Sequence, residues 1–374
     1  MLNARDIVTY LLAHGLMRTQ TVIDGDLVIT DASRRHCNFR VSSSAAETSY
    51  FVKQDADPEA GALGTVGYEA AVYALLTSVF GETARGVLVP RRHAYAPALK
   101  LLVLDLVPGA ESLRDYHARR NRFPRALAAR VGRVLGSLHR ALPPAALAQA
   151  AVGALSCRPP VIFSIVRPPV RLLTNVSQAN LALIKEIQQV PRLCAQLDQV
   201  AQGWLPEALI HGDVRWDNCL VVRSDSGKGL PAVRLIDWEY AALGDPAWDL
   251  GVFFSQYLSY WVLSIPPTAE GSTIARAQQA TSPIAGMQPA IRACWRAYAH
   301  QARLRGAARE ELLVRAVRYA GVRLLETAFE RLDSATQLSR DAVYLVQLGM
   351  NVLDDPRRAA TQLLGLAMTG IGVP

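Results

Sequence analysis

His211-Gly212-Asp213-Val214-Arg215-Trp216-Asp217-Asn218, followed by Leu235-Ile236-Asp237-Trp238-Glu239, is the stretch on which the reading of this 374-residue chain turns. An apolar run, Ala208-Leu209-Ile210, leads into the first segment, and Cys219-Leu220-Val221-Val222 leaves it. The polar, glycine-bearing residues Ser224 to Gly229 predict a turn before Val233-Arg234-Leu235-Ile236. The pattern is a short loop and a hairpin that bring Asp213, Asn218 and Asp237 to one end of a small sheet. Two carboxylates and an amide suit a hard, oxygen-liganded cation such as magnesium. The carboxylate left over can take a proton from an attacking hydroxyl.

The spacing H-G-D-x-x-x-x-N followed by I-D-W-E resembles the catalytic and metal-binding motifs of the aminoglycoside phosphotransferase and choline kinase family. That resemblance implies an α+β, bilobal, protein-kinase-like fold. Residues 1–106 would form a small nucleotide-binding lobe, an antiparallel sheet with one helix. Residues 107–374 would form a larger, mainly helical lobe for catalysis and acceptor binding. It also implies ATP and magnesium as cofactors, with Asp213 as catalytic base and Asn218 and Asp237 as metal ligands. Arg215 stands where protein kinases keep a lysine that neutralises the transferring phosphate, a task arginine can perform with bidentate hydrogen bonds. A surface arginine in a loop is the other reading. His211 and Trp216 read as structural, and Asp217 as solvated.

The rest of the chain supplies a nucleotide side. Ala4 to Leu16 has helical spacing, and three strands rich in β-formers follow, at Leu27-Val28-Ile29, Asn38-Phe39-Arg40-Val41 and Ser49-Tyr50-Phe51-Val52-Lys53. The loop between the first two holds no glycine, a departure from the glycine-rich protein-kinase pattern. Ser33 and Asn38 can fill the phosphate-covering places by resemblance, and Arg34 or Arg35 can meet phosphate oxygens or form a solvated basic turn. Lys53 is either a surface lysine or the strand lysine that pairs with the α- and β-phosphates. Pro58 to Gly67 reads as a loop, and the helix after it carries Glu69 near its start, matching the family's partner for that lysine. Val87 to Pro90 and Lys100 to Val107 predict two further strands. Pro108-Gly109 stops the second, so backbone groups from Asp105 to Val107 are expected to meet the adenine edge, as at a kinase hinge.

The texture then turns helical. A stripe from Leu127 to Leu142 ends at Pro143-Pro144 and includes His139, read as structural. Residues 156–170 read as irregular and 181–200 as helix. In Gly244-Asp245-Pro246-Ala247-Trp248-Asp249-Leu250, the family would use Asp249 to brace the catalytic loop. Phe253, Phe254, Tyr257, Tyr260 and Trp261 predict a helix that packs in the core or lines an acceptor pocket. Further on, Leu313, Val317, Ala320 and Leu324 line one helix face, with Arg315, Arg318 and Arg323 expected off it.

With 51% hydrophobic residues, wholesale disorder is excluded. The five cysteines form no C-x-x-C pair, so neither a disulfide framework nor structural zinc is expected. Charges at Arg5 and Asp6 argue against a secretory signal, and no run is apolar enough for a bilayer. A cytoplasmic protein without membrane or nucleic-acid partners is expected, although its net charge is +8. The acceptor is a hydroxyl compound. The arginine-rich C-terminal region weighs against a polycationic one. The loop version H-G-D-x-R-W-D-N also resembles phosphotransferases that modify Ser or Thr of ribosomally made precursor peptides, which implies a peptide acceptor and a partner lyase. The alternatives are a small-molecule kinase and a catalytically inactive nucleotide-binding partner. The last should lack Lys53, Asp213, Asn218 or Asp237, and all four are present.

Overall fold

The computed structural model describes residues 2–33, 37–43, 49–55, 65–84, 89–142, 146, 155–173, 176–223 and 231–368. The readings placed on Arg34, Arg35, residues 58–64, Val87, Leu88, Pro143, Pro144 and Ser224 to Gly229 lie outside the described residues. Two compact units emerge. One contains Met1–Ser112 and Asn218–Ala241, with the short piece Gly153–Leu155, and the other contains Leu113–Val152, Ser156–Asp217 and Ala242–Pro374.

In the first unit, β1 (Val28–Asp31), β2 (Cys37–Ser42), β3 (Tyr50–Gln54), β4 (Arg92–Ala96) and β5 (Leu101–Asp105) form an antiparallel sheet in the order β1-β2-β3-β5-β4. Helix α1 (Ala4–Ala13) begins with a capping box in which Asn3 and Asp6 satisfy each other's backbone amides. It buries Ile7, Tyr10 and Leu11 against Val41, Tyr50, Val52, Leu101 and Val103. Side chains alternate along a strand, so Lys53 lies on the opposite face, beside its cross-strand partners Asn38 and Leu102. A short helix, α2 (Thr19–Ile23), precedes the sheet, and α3 (Thr65–Ala84) follows β3. Helix thus begins inside the expected loop, at Thr65.

Among the described residues the next strand is Arg92–Ala96, beyond the expected 87–90, of which Val87 and Leu88 lie outside the described residues. It is an edge strand whose pairing with β5 shifts register between Arg92 and Ala94. An edge tolerates polar residues, so a run with an arginine and a histidine can serve as a strand there. A three-stranded sheet, β6-β8-β9, joins Glu111–Ser112, Cys219–Val222 and Ala232–Leu235. The β8–β9 hairpin pairs Cys219 with Leu235, so the residues just outside it, Asn218 and Ile236, meet: the Ile236 N–H donates to the Asn218 carbonyl at 3.0 Å.

The second unit is helical apart from one ribbon, β7 (Ala208–Ile210) with β10 (Ala242–Gly244). Its helices begin with α4 (Leu113–Arg120), α5 (Arg125–Leu138), α6 (Val170–Leu173), α7 (Gln178–Gln188) and α8 (Pro191–Gln202). After the ribbon come α9 (Pro246–Leu263), α10 (Thr273–Gln278), α11 (Ile284–Gln301), α12 (Gly306–Arg331), α13 (Arg340–Asp354) and α14 (Pro356–Gln362). The helix expected over 181–200 is two, because Pro191 cannot donate a helical hydrogen bond and starts a new helix.

Glycines set the close crossings. A Cβ on Gly132 of α5 would stand 2.2 Å from the Cys294 carbonyl of α11, and one on Gly251 of α9 would stand 2.6 Å from Tyr319 Cβ of α12. Gly321 of α12 and Gly349 of α13 meet in the same way. Gly132→Ala should lower the unfolding free energy by about 1–3 kcal/mol, because a backbone carbonyl cannot move aside as a side chain can. Gly286→Ala, in open space on α11, should raise it by about 0.5–1 kcal/mol. Urea midpoints of the two variants check both signs.

Candidate active site

Lys53 is a buried ion of the first unit with two carboxylate partners. Its side chain is 7% exposed, and its Nζ lies 2.7 Å from Glu69 Oε2 and 2.6 Å from Asp237 Oδ1. Burial works against the ammonium, but the two carboxylates outweigh it and hold its pKa above the ordinary lysine value. Glu69 is fully buried, and burial pushes its pKa up, opposed by Lys53. Its other oxygen accepts the Trp238 N–H at 3.2 Å. The helix that carries Glu69 is thereby tied to the segment that carries Asp237. Tyr68, its neighbour, donates to the Ala241 carbonyl at 2.5 Å.

Asp237 has left-handed backbone angles, φ 66° and ψ 68°, which are rare outside glycine, and cluster at working sites. Asn218 is buried at the mouth of the same hairpin. An amide oxygen and a carboxylate are hard donors of the kind magnesium takes, with phosphate oxygens completing its shell. Among the described residues no group of three or more His, Cys, Asp or Glu is placed to hold a metal ion.

The remaining nucleotide-side residues lie on the five-stranded sheet and its loops. Ser33 Oγ accepts the Asn38 N–H at 3.0 Å and the Ser33 N–H donates to Asp31 Oδ1 at 2.7 Å, which closes the turn between β1 and β2. Asn38 Oδ1 is buried without a hydrogen-bond partner among the described residues, on the sheet face that carries Lys53. At the end of β5 the Asp105 and Leu106 N–H groups already donate to the Arg91 and Ser49 carbonyls, at 2.8 Å each. The Asp105 side chain pairs with His93, and the Val107 carbonyl accepts the Ala110 N–H at 3.3 Å.

In the second unit the loop from His211 is held by one carboxylate. Asp249, fully buried on α9, accepts the His211 N–H at 2.8 Å and the Gly212 N–H at 2.9 Å. His139 Nε2 is 3.1 Å from the same carboxylate, and His139 Nδ1 is 3.0 Å from the Tyr298 hydroxyl. Burial raises the Tyr298 pKa, so this phenol stays protonated and can donate to Nδ1. His139 Nε2 faces the Asp249 carboxylate, which can only accept, so that nitrogen is the donor of the pair. Trp248 Nε1 donates to the Gly212 carbonyl at 2.8 Å, and Gly212 takes φ 82°. At the far end Trp216 is buried, edge-on to His117 and Tyr257. Asp217 pairs with Arg114 at 2.7 Å instead of standing alone in solvent.

Between these anchors the Asp213 carboxylate faces two guanidiniums. Arg215 meets Asp213 Oδ2 through Nε at 2.9 Å and Nη2 at 2.8 Å. Arg323 Nη2 is 3.7 Å from Asp213 Oδ1 and 3.5 Å from Glu330, and its Nη1 pairs with Glu326. Glu330 also reaches Arg215 at 3.3 Å. Arg323 was expected to leave the buried face of α12, yet it is 4% exposed, and Arg315 is 3.1 Å from the buried Asp245. The sequence reading missed both Arg323 and Glu330. Their signal is spacing: Arg323, Glu326 and Glu330 at i, i+3 and i+7 share one helix face.

A model of the family described as "Phosphotransferase enzyme family" matches residues 30–287, more than half of the chain. No curated protein matches it in sequence. Among solved structures, an ethanolamine kinase of Plasmodium vivax is similar, with a TM-score of 0.58 and 14% identity over 95% of this chain and 89% of that one. A choline kinase of Cryptosporidium parvum Iowa II gives a TM-score of 0.57 and 11% identity over 97% and 98%. The fold is protein-kinase-like, an antiparallel sheet followed by a helical majority.

His117 generates a pH prediction. Burial pushes its pKa down to about 4, while its Nδ1 donates to the Arg122 carbonyl at 2.7 Å. Between about pH 6.5 and 4 the unfolded chain binds a proton that the folded one refuses, so stability falls as pH falls through that window, by roughly 3 kcal/mol in all. Melting temperatures from pH 7.5 to 4.5 should show this decline, and His117→Phe should flatten it. Asp249→Ala should cost about 1–3 kcal/mol or more, since it strands two buried N–H groups, and urea unfolding measures the loss.

Proposed function

The chain belongs to the phosphotransferase enzyme family, and from that premise we propose that it moves the γ-phosphate of ATP to an acceptor hydroxyl. The observation that carries this reading is the Lys53 ammonium held between Glu69 and Asp237, a buried fixed cation of the kind that grips nucleotide phosphates. Ser33 and Asn38 cover the phosphates, and in the stretch from Asp105 to Val107 it is the Val107 N–H, not engaged by the backbone bonds described above, that meets the adenine. Asn218 and Asp237 would hold magnesium, which when bound would neutralise phosphate charge. Asp213 takes the proton from the acceptor hydroxyl as its oxygen attacks phosphorus and the bond to the leaving ADP oxygen breaks. Arg215 passes from Asp213 to the transferring phosphoryl group and offsets its charge. No helix among the described residues is long and apolar enough to cross a membrane, and the reading places the enzyme with its ATP in the cytoplasm.

For the acceptor we propose a Ser or Thr hydroxyl of a ribosomally made precursor peptide, later eliminated by a partner lyase. What supports it is the pair of guanidiniums at Asp213. A small-molecule kinase is the second reading. Glu330, beside Arg215, is the group that would receive a cationic amino alcohol or amino sugar.

Incubation with ATP and magnesium, followed by mass spectrometry, should add one phosphate to a Ser- or Thr-bearing precursor peptide. Phosphate gained only by amino alcohols or amino sugars decides for the second reading. Asp213→Asn should slow transfer about 10²–10⁴-fold while ATP affinity stays within about twofold. An unimpaired rate in that variant removes Asp213 from the base role.

A further inference from the structure

A cleft of about 660 Å³ lies where α11 ends and α12 begins, and none of the residues given a role above lines it. Arg296, His300, Arg303, Arg305 and Arg309 line it, over Ala299 and Leu304, and no acidic residue does. Among the described residues none of the four guanidiniums forms an ion pair with a carboxylate. Arg309 is steadied from behind by the Trp295 ring, 5.8 Å from its guanidinium carbon.

Three of these arginines occupy positions whose local structure prefers another residue. The end of α11 closes as a Schellman motif, with the Arg303 N–H on the His300 carbonyl at 3.1 Å and the Leu304 N–H on the Ala299 carbonyl at 2.9 Å. That motif places Arg303 at φ 56°, where glycine is the usual residue. Arg305 is the N-cap of α12 and makes no side-chain cap, where Ser, Thr, Asp or Asn would make one. Arg309 lies in the first turns of the same helix, whose opening turn has no acid and whose dipole disfavours cations. The C-terminal dipole of α11 favours His300 and Arg303, but Arg305 and Arg309 at the start of α12 run against their local preferences beside the same cleft, which marks a site held for a ligand.

We propose that this cleft binds a compact anion bearing two or more phosphoryl groups. Guanidiniums grip phosphate oxygens bidentately, and four of them with an imidazole match several charges. The volume suits a small group, not a folded partner. The ligand is either a free oligophosphate or the phosphorylated headgroup of a lipid.

The test uses the full chain and tripolyphosphate as probe, in calorimetric titrations of the wild type and the Arg303→Gly, Arg305→Ser double variant. Both substitutions restore the locally preferred residue, so the variant should melt at or above the wild-type temperature. Its salt-sensitive tripolyphosphate binding should weaken about tenfold or more, with ATP binding unchanged. Equal binding by variant and wild type, or no binding by the wild type, overturns the site. So does tighter, variant-sensitive binding of a poly-glutamate peptide. Flotation with phosphatidylinositol-bisphosphate vesicles tells the sources apart: co-flotation lost in the variant assigns a lipid headgroup, and its absence alongside variant-sensitive tripolyphosphate binding assigns a free oligophosphate.

Discussion

A buried ammonium group cannot stand alone, and Lys53 is the point from which the first unit is arranged. Removing an unpaired charge from water costs several kcal/mol, so the chain must bring carboxylates to it. Glu69 arrives from 16 residues away on α3 and Asp237 from 184 residues away at the end of a hairpin. Each then fixes something else: Glu69 holds the Trp238 amide, and Asp237 accepts left-handed backbone angles. The sheet, the helix and the hairpin converge because the alternative is an unsatisfied charge in the core.

The second unit solves a related problem with the sign reversed. Asp249 is a carboxylate with no solvent exposure, and two backbone amides and an imidazole satisfy it. Those amides belong to His211 and Gly212, so the partners that make the buried anion tolerable also set the path of the loop that carries Asp213. The chain of contact runs on through His139 to Tyr298 of α11. Helix α11 is pressed against α5 at Gly132 and Gly136. Packing glycines far from Asp213 therefore hold the loop's support in register.

Much of this was legible because chemistry demands particular residues at particular spacings. Lys53, Glu69, Asp237 and the loop from His211 are polar residues in apolar surroundings, and that contrast shows in one dimension. Strands β1, β2, β3 and β5 were legible within a residue or two through their β-branched and aromatic content. What stayed hidden depends on three-dimensional pairing. Arginine reads as surface on a helical wheel, yet Arg323 is buried because Glu326, Asp213 and Glu330 meet it. The edge strand Arg92–Ala96 went unread because it carries an arginine and a histidine. The seat of Arg303 at a left-handed helix end required a backbone angle, which no composition reveals.

The family membership, the Lys53 cluster and the anchored Asp213 loop make one account, in which the cluster is the nucleotide's phosphate grip. Its most direct test is a calorimetric titration of magnesium-ATP into the wild type and Lys53→Met, each shown to be folded by circular dichroism. The Glu69 left behind can take a proton, since burial already raises its pKa, so loss of the cation need not unfold the sheet. The account predicts that Lys53→Met binds ATP at least about tenfold more weakly, a loss of about 1.4 kcal/mol or more. Wild-type affinity in a folded Lys53→Met protein would contradict it.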